Sequence, residues 1–177
     1  PNSQMVGDSE DLLGWLALNA GRLEDAQGSM ERALAIREDA VPRDDVRIAK
    51  SLMGLASVER RRESADLQEA LRLIDQALAV LSSSPRDSWK DEVQLLNHKS
   101  LLVYQLGRIE LAEQIATMAL ELCQEHGDGL IESVTPLQNL AMTAKVLGDD
   151  QRAMRQVEDA VAILRAVYPQ GHSRTAS

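Results

Sequence analysis

Cysteine and histidine are the residues of this chain whose spacing points to chemistry. Cys123 and His126 form a Cys-x-x-His pair that a helix would place on one face, where it could offer two ligands to a metal ion. A zinc site needs four ligands, or three and a water, and Cys123 is the only cysteine. The other histidines, His98 and His172, are distant in the chain. The pair therefore reads as a buried cysteine beside a histidine at a helix end, near the negative pole of the helix dipole. Other candidates fare no better. No Gly-rich phosphate loop, nucleophile elbow or paired-carboxylate signature occurs. Gly127-Asp-Gly129 reads as a turn, and the basic run Arg60–Arg62 as a solvated helix end. The expectation is a chain that is not an enzyme, with no catalytic residue, cofactor or metal site.

The informative residues are instead those that position helices. Gly21-Arg-Leu-Glu-Asp-Ala26, Gly107-Arg-Ile-Glu-Leu-Ala112 and Gly148-Asp-Asp-Gln-Arg-Ala153 are copies of one phrase, each followed seven residues on by a second alanine, at Ala33, Ala119 and Ala160. A fourth copy lacks the glycine but keeps Ala70 and Ala77. From copy to copy the alanines step by 44, 42 and 41 residues, a period that marks stacked supersecondary units. Each glycine can take the left-handed conformation that closes a helix. Each alanine pair, about two helical turns apart, puts small side chains on one face of the next helix so that the two helices approach closely. Asp149 and Asp150 suit the amides and positive dipole end of the last helix.

The phrases resemble tetratricopeptide repeats in the longer form, of about 42 residues, seen in kinesin light chains. The first unit carries the marks most fully: Leu13-Gly14, Gly21, Ala26, Ala33 and Glu31–Glu38. Val41–Ala49 resembles the linker of that subtype, and Leu137-Gln-Asn-Leu-Ala141 its opening Leu-Asn-Asn-Leu-Ala. The resemblance covers about nine-tenths of the chain and implies an all-α fold, an α-α superhelix (solenoid) of four helix-turn-helix repeats. The repeats are expected at 8–43, 44–86, 87–128 and 129–168. Residues 1–7 then form an N-terminal tail or the remnant of a preceding segment, and 169–177 a tail or the start of a truncated fifth repeat. Helices are expected near 8–20, 24–39, 44–62, 66–81, 87–106, 109–125, 130–147 and 150–167. The family's aromatic positions hold Ala17, Ser57, Val103 and Ala144 in the first helices and Met30, Ile74, Ala116 and Val157 in the second. With no phenylalanine, the core must be aliphatic.

Composition narrows the partners. A formal charge of −9 and the thin aromatic set Trp15, Trp89, Tyr104 and Tyr168 argue against nucleic acid. No run approaches the length of a membrane span, no secretory signal begins the chain, and a single cysteine fits a reducing cytoplasm. The arginine, alanine and leucine richness suits a bacterial genome. The resemblance implies a protein or peptide partner in a concave groove lined by first helices. Carried over position by position, the groove comprises Trp15, Asn19, Leu55, Gln94, Asn97, Leu101, Tyr104, Gln105, Gln138, Met142 and Lys145, with Asp8, Asp11, Leu18, Ile48, Ser51, Val58, Glu59, Thr135 and Val146 at further groove positions. Amides pair with an extended backbone and apolar side chains anchor it. Asp11 and Trp15 stand where chaperone-binding repeats clamp a terminal carboxylate, so Hsp70-type and Hsp90-type tails are excluded as ligands. The expected function is a non-catalytic protein-interaction scaffold. The alternative is the regulatory or sensory segment of a larger bacterial signalling protein, such as a peptide-sensing regulator, kinase or protease. The apolar face of the last helix, Gln151–Leu164, invites a homodimer through the terminal repeat.

Overall fold

The computed structural model describes residues 2–40, 42–84, 88–127 and 130–169. These form α1 (Asn2–Asn19), α2 (Leu23–Glu38), α3 (Asp45–Arg61), α4 (Leu67–Ser82), α5 (Trp89–Gln105), α6 (Ile109–Glu125), α7 (Val134–Val146) and α8 (Asp150–Val167), and no strand. Two compact units are present, residues 1–98 and 99–177. The turn expected at Gly127-Asp-Gly129 lies partly outside the described residues, and His172 and the expected fifth-repeat segment beyond Pro169 lie wholly outside them.

Three corners share one geometry. Gly21, Gly107 and Gly148 take φ of 75°, 76° and 81°, a region that costs an L side chain but not glycine. In each, the glycine amide and the amide after it turn back onto the helix just ended: Gly21 onto Leu18 O and Arg22 onto Ala17 O, at 3.1 and 2.9 Å. The same pair of bonds closes α5 through Gly107 and Arg108, and α7 through Gly148 and Asp149. These bonds satisfy carbonyls that a helix end leaves unpaired. The next helix then starts at once, α8 with the Asp149 carboxylate accepting from the Arg152 amide at 2.9 Å. Beyond the corners, Ala26, Ala33, Ala70, Ala77, Ala112 and Ala119 are wholly buried.

The turn between α3 and α4, residues 62–66, is longer and has no corner glycine. Asp66 caps α4 by accepting from the Gln68 and Glu69 amides. The basic run before it is not simply solvated. Arg61 donates to Leu18 O at 2.9 Å and Arg62 to the Gln27 side chain, so both reach back to the first repeat.

Two features hold α1, α2 and α3 together. Met30, wholly buried, lies between two glycines. A Cβ at Gly14 would stand 2.7 Å from Met30 Cγ, and one at Gly54 would stand 2.7 Å from its Sδ. Around it Ala17, Leu18, Ala26 and Val58 form a core cluster, with Trp15, Leu23 and Leu55 packed against it. Each large side chain buried there contributes roughly 1.5–3 kcal/mol. The second feature is Arg37, whose side chain is 6% exposed. It donates to Ser51 Oγ at 2.5 Å and Arg47 O at 3.0 Å, and pairs with Asp8 at 3.2 Å and Asp11 at 3.4 Å. Arg47 reaches Asp8 as well, at 2.7 Å. A buried guanidinium needs such partners to offset its desolvation.

This network explains where α1 begins. The acidic run from Asp8 looks like a helix start, yet Asp8 faces Arg37 and Arg47, and α1 runs back through residues 2–7 to Asn2. The seventh helix also differs from expectation. A 3-10 turn, Ile131–Ser133, precedes α7. Pro136 falls in the first turn of α7, where its missing N–H costs nothing.

Candidate functional site

Within residues 99–177, α7 and α8 flank a solvent-open cleft of about 740 Å³, in the size range of ligand sites. Gln138, Ala141, Met142, Lys145 and Val146 line it from α7, and Asp150, Ala153, Met154 and Val157 from α8. Tyr104 of α5 completes the lining. Both helices contribute residues at i, i+3, i+4 and i+7, the spacing that puts side chains on one helical stripe. The small side chains of Ala141 and Ala153 leave room for the cleft, and Met142, Val146, Met154 and Val157 make it apolar. All four stay exposed, at 37%, 54%, 63% and 46%. One ion pair crosses the lining, Lys145 Nζ to Asp150 Oδ1 at 2.7 Å.

Residues 137–174 match the family model of the tetratricopeptide repeat. No curated protein sequence matches the chain. Among solved structures, that of a Podosopora anserina protein named for kinesin light chain, with nearly identical tetratricopeptide-like repeats, superposes with a TM-score of 0.69 at 16% identity, covering 93% of this chain and 77% of that one. MamA superposes at 0.62 and 14% identity, covering 92% and 81%. BtubC from P. vanneervenii superposes at 0.58 and 19% identity, covering 99% and 87%. The fold is that of tetratricopeptide repeats. At these identities the likeness to solved structures is one of architecture.

Not all of the tetratricopeptide groove positions meet in the cleft. Tyr104, Gln138, Met142 and Lys145 line it together, with Val146. Leu101, half-buried, and Gln105, exposed, belong to the same unit but not to the lining. In residues 1–98, Trp15 and Leu55 pack against the Met30 cluster, and Asn19 is exposed. Asn97 is buried, as are Leu18, Ile48, Ser51 and Val58, so these side chains pack in the core rather than line a groove. Gln94 borders a narrow crevice with Met53 and Leu95, across which Lys50 pairs with Asp91 at 3.0 Å. Asp11 is paired to Arg37 rather than facing a ligand, and its carboxyl lies above the usual range because burial outweighs the pull of that guanidinium. The repulsion expected at Asp11 for an anionic peptide end is correspondingly offset.

The α8 wall is the part that groove positions taken from first helices miss. Its signal was in the sequence, as apolar or small residues at Ala153, Met154 and Val157, but that stripe reads as the end face of an array until α7 is seen beside it.

The Cys-x-x-His pair does not converge. Cys123 is buried, and burial pushes its thiol up against a Ser133 hydrogen bond that lowers it. His126 is exposed at the end of α6, its Nδ1 2.9 Å from Leu122 O. Among the described residues, no group of three His, Cys, Asp or Glu could hold a metal ion, and no helix is long and apolar enough to cross a membrane.

Proposed function

We propose that this chain is a non-catalytic protein-interaction scaffold that binds a peptide or partner segment along the α7–α8 cleft. The observation that carries the reading is the pair of facing stripes, Gln138–Met142–Lys145 and Asp150–Met154–Val157, which line one exposed apolar cleft. Apolar side chains there hold a ligand by desolvation, and Gln138, Tyr104 and the Lys145–Asp150 pair supply the few polar groups that orient it. The buried thiol of Cys123, with its raised pKa, fits a structural role rather than a nucleophilic one.

Selection from a displayed random-peptide library tests this. Selected peptides should bind the chain and lose at least roughly tenfold in affinity, about 1.4 kcal/mol, against the Met142→Glu/Met154→Glu variant, with its helicity checked by circular dichroism. Peptides that bind both proteins equally would move the site elsewhere.

A further inference from the structure

A guanidinium that loses contact with water keeps its charge at neutral pH, so it needs an acidic partner. Of the described arginines that are not exposed, Arg37, Arg47, Arg62 and Arg152 have one. Arg37 pairs with Asp8 and Asp11, Arg47 with Asp8 at 2.7 Å, Arg62 with Glu59 at 3.2 Å and Arg152 with Glu113 at 2.5 Å. Arg60, near the end of α3, is the exception. It is half-buried, its Nε is sealed from solvent without a hydrogen-bond partner, and no described carboxylate forms an ion pair with it. The Nε atoms of Arg37, Arg62 and Arg152 also lack a hydrogen bond, but each of those side chains has a carboxylate beside it. The groups around Arg60 do not supply the missing charge. Arg61 follows it in the chain, and on α5 stands His98, half-buried and close enough for the Arg60 charge to reach its ring. Glu59, the adjacent acid, is taken by Arg62.

We propose that Arg60 and His98 form an oxyanion site within residues 1–98, taking the carboxylate or phosphate group of a ligand. The planar fork of a guanidinium matches two oxygens of either group. An imidazole beside it adds N–H donors, one when neutral and two when protonated. The anion offsets the desolvation of Arg60, whose charge is disfavoured by burial first and then by Arg61. It also acts on the second residue. Burial, then the Arg60 charge, keep the His98 ring neutral at neutral pH, and an anion between the two reverses the second effect and draws a proton onto the ring. Binding at this site is therefore coupled to protonation of His98 and tightens as the pH falls. A merely structural arginine has no such signature. The site belongs to a different unit from the α7–α8 cleft and needs nothing from it.

The test follows the histidine rings of the 177-residue chain by NMR through a pH titration. It is run at one ionic strength in chloride, in inorganic phosphate and in N-acetylglutamate α-amide, a free glutamate side chain. Phosphate or the glutamate should raise the His98 pKa by roughly one pH unit over chloride, while exposed His126 moves far less. Whichever anion gives the larger rise identifies the group the site takes, a phosphate or an acidic side chain. The Arg60→Met chain, with its helicity checked by circular dichroism, should show no such rise. Arg60→Gln serves the same comparison should the methionine chain not fold. Phosphate should also raise the thermal midpoint of the parent chain above that in chloride, and leave the variant unmoved. The same His98 pKa in all three salts would overturn the site and leave a hydrated arginine beside a neutral histidine. A rise that survives the loss of Arg60 would overturn it too.

Discussion

The first and fourth repeats turn the same corner and then diverge in what lies beside it. In the first, Met30 is wholly buried between Gly14 and Gly54, and Arg37 ties α1, α2 and α3 through Asp8, Asp11, Arg47 and Ser51. In the fourth, Val157 stands at the Met30 position, 46% exposed, and half-buried Leu164 at the Arg37 position. Leu18 and Leu23 give way to the exposed ion pair of Lys145 and Asp150. The difference teaches that one register position serves as core or as exposed surface according to whether another helix covers it. Burial follows: apolar and charge-satisfied where α3 lies, exposed and polar-rimmed where no described helix does.

The most severe way to break the covered side is Arg37→Met. It removes the guanidinium paired with half-buried Asp11, while exposed Asp8 keeps Arg47, and should cost about 3–5 kcal/mol, read from the urea midpoint. Leu164→Met, at the equivalent place in the fourth repeat, should stay near neutral.

A matched pair of truncations sharpens the contrast. Met30→Ala should destabilise by about 2–5 kcal/mol, since it leaves a cavity between two glycine-lined helix faces, while Val157→Ala should stay within about 0.5 kcal/mol. Equal effects in thermal melts would mean that the two positions are not differently covered.

The smallest effect concerns acid. His98 on α5 is half-buried near Arg60, and burial first, then that positive charge, hold its pKa below the ordinary histidine value of about 6.5. As pH falls through 6.5 the unfolded chain takes up the proton before the folded one. The neutral ring therefore leaves stability intact above 6.5, and stability is lost as pH falls from there toward the folded pKa. The His98→Gln chain should lack that part of the slope in urea titrations between pH 7.5 and 5.5. An unchanged slope would show that the ring is as accessible to protons folded as unfolded.

Much of the fold could be read from local signals. A glycine that needs positive φ and two alanines seven residues apart are short-range constraints, and the observed α6 and α8 coincide with the helices they imply. The start of α1 was hidden because Asp8 resembles a cap, while its actual partners are 29 and 39 residues away in sequence. The same distance effect obscured half of the candidate site. Whether Leu55 and Val58 face a groove or cover Met30 depends on how closely α3 approaches α2, and that is set by the bare backbone of Gly54 against a methionine from another helix. Spacing along one helix carries no such information. It did put Gln138, Met142 and Lys145 on one face of α7, and Tyr104 at the place in α5 that Lys145 holds in α7. The opposing α8 wall required the helix pair itself.

The thioethers of the cleft have a further consequence, in redox chemistry. Met142 and Met154 are open to solvent, whereas Met30 is sealed. A peroxide would convert the two cleft residues to sulfoxides, exchanging pliable apolar side chains for polar ones, and reductases could reverse the change. The polarity of the cleft would then vary with the oxidant level around the protein, while the interior of the first repeat, built on the same amino acid, would not register it.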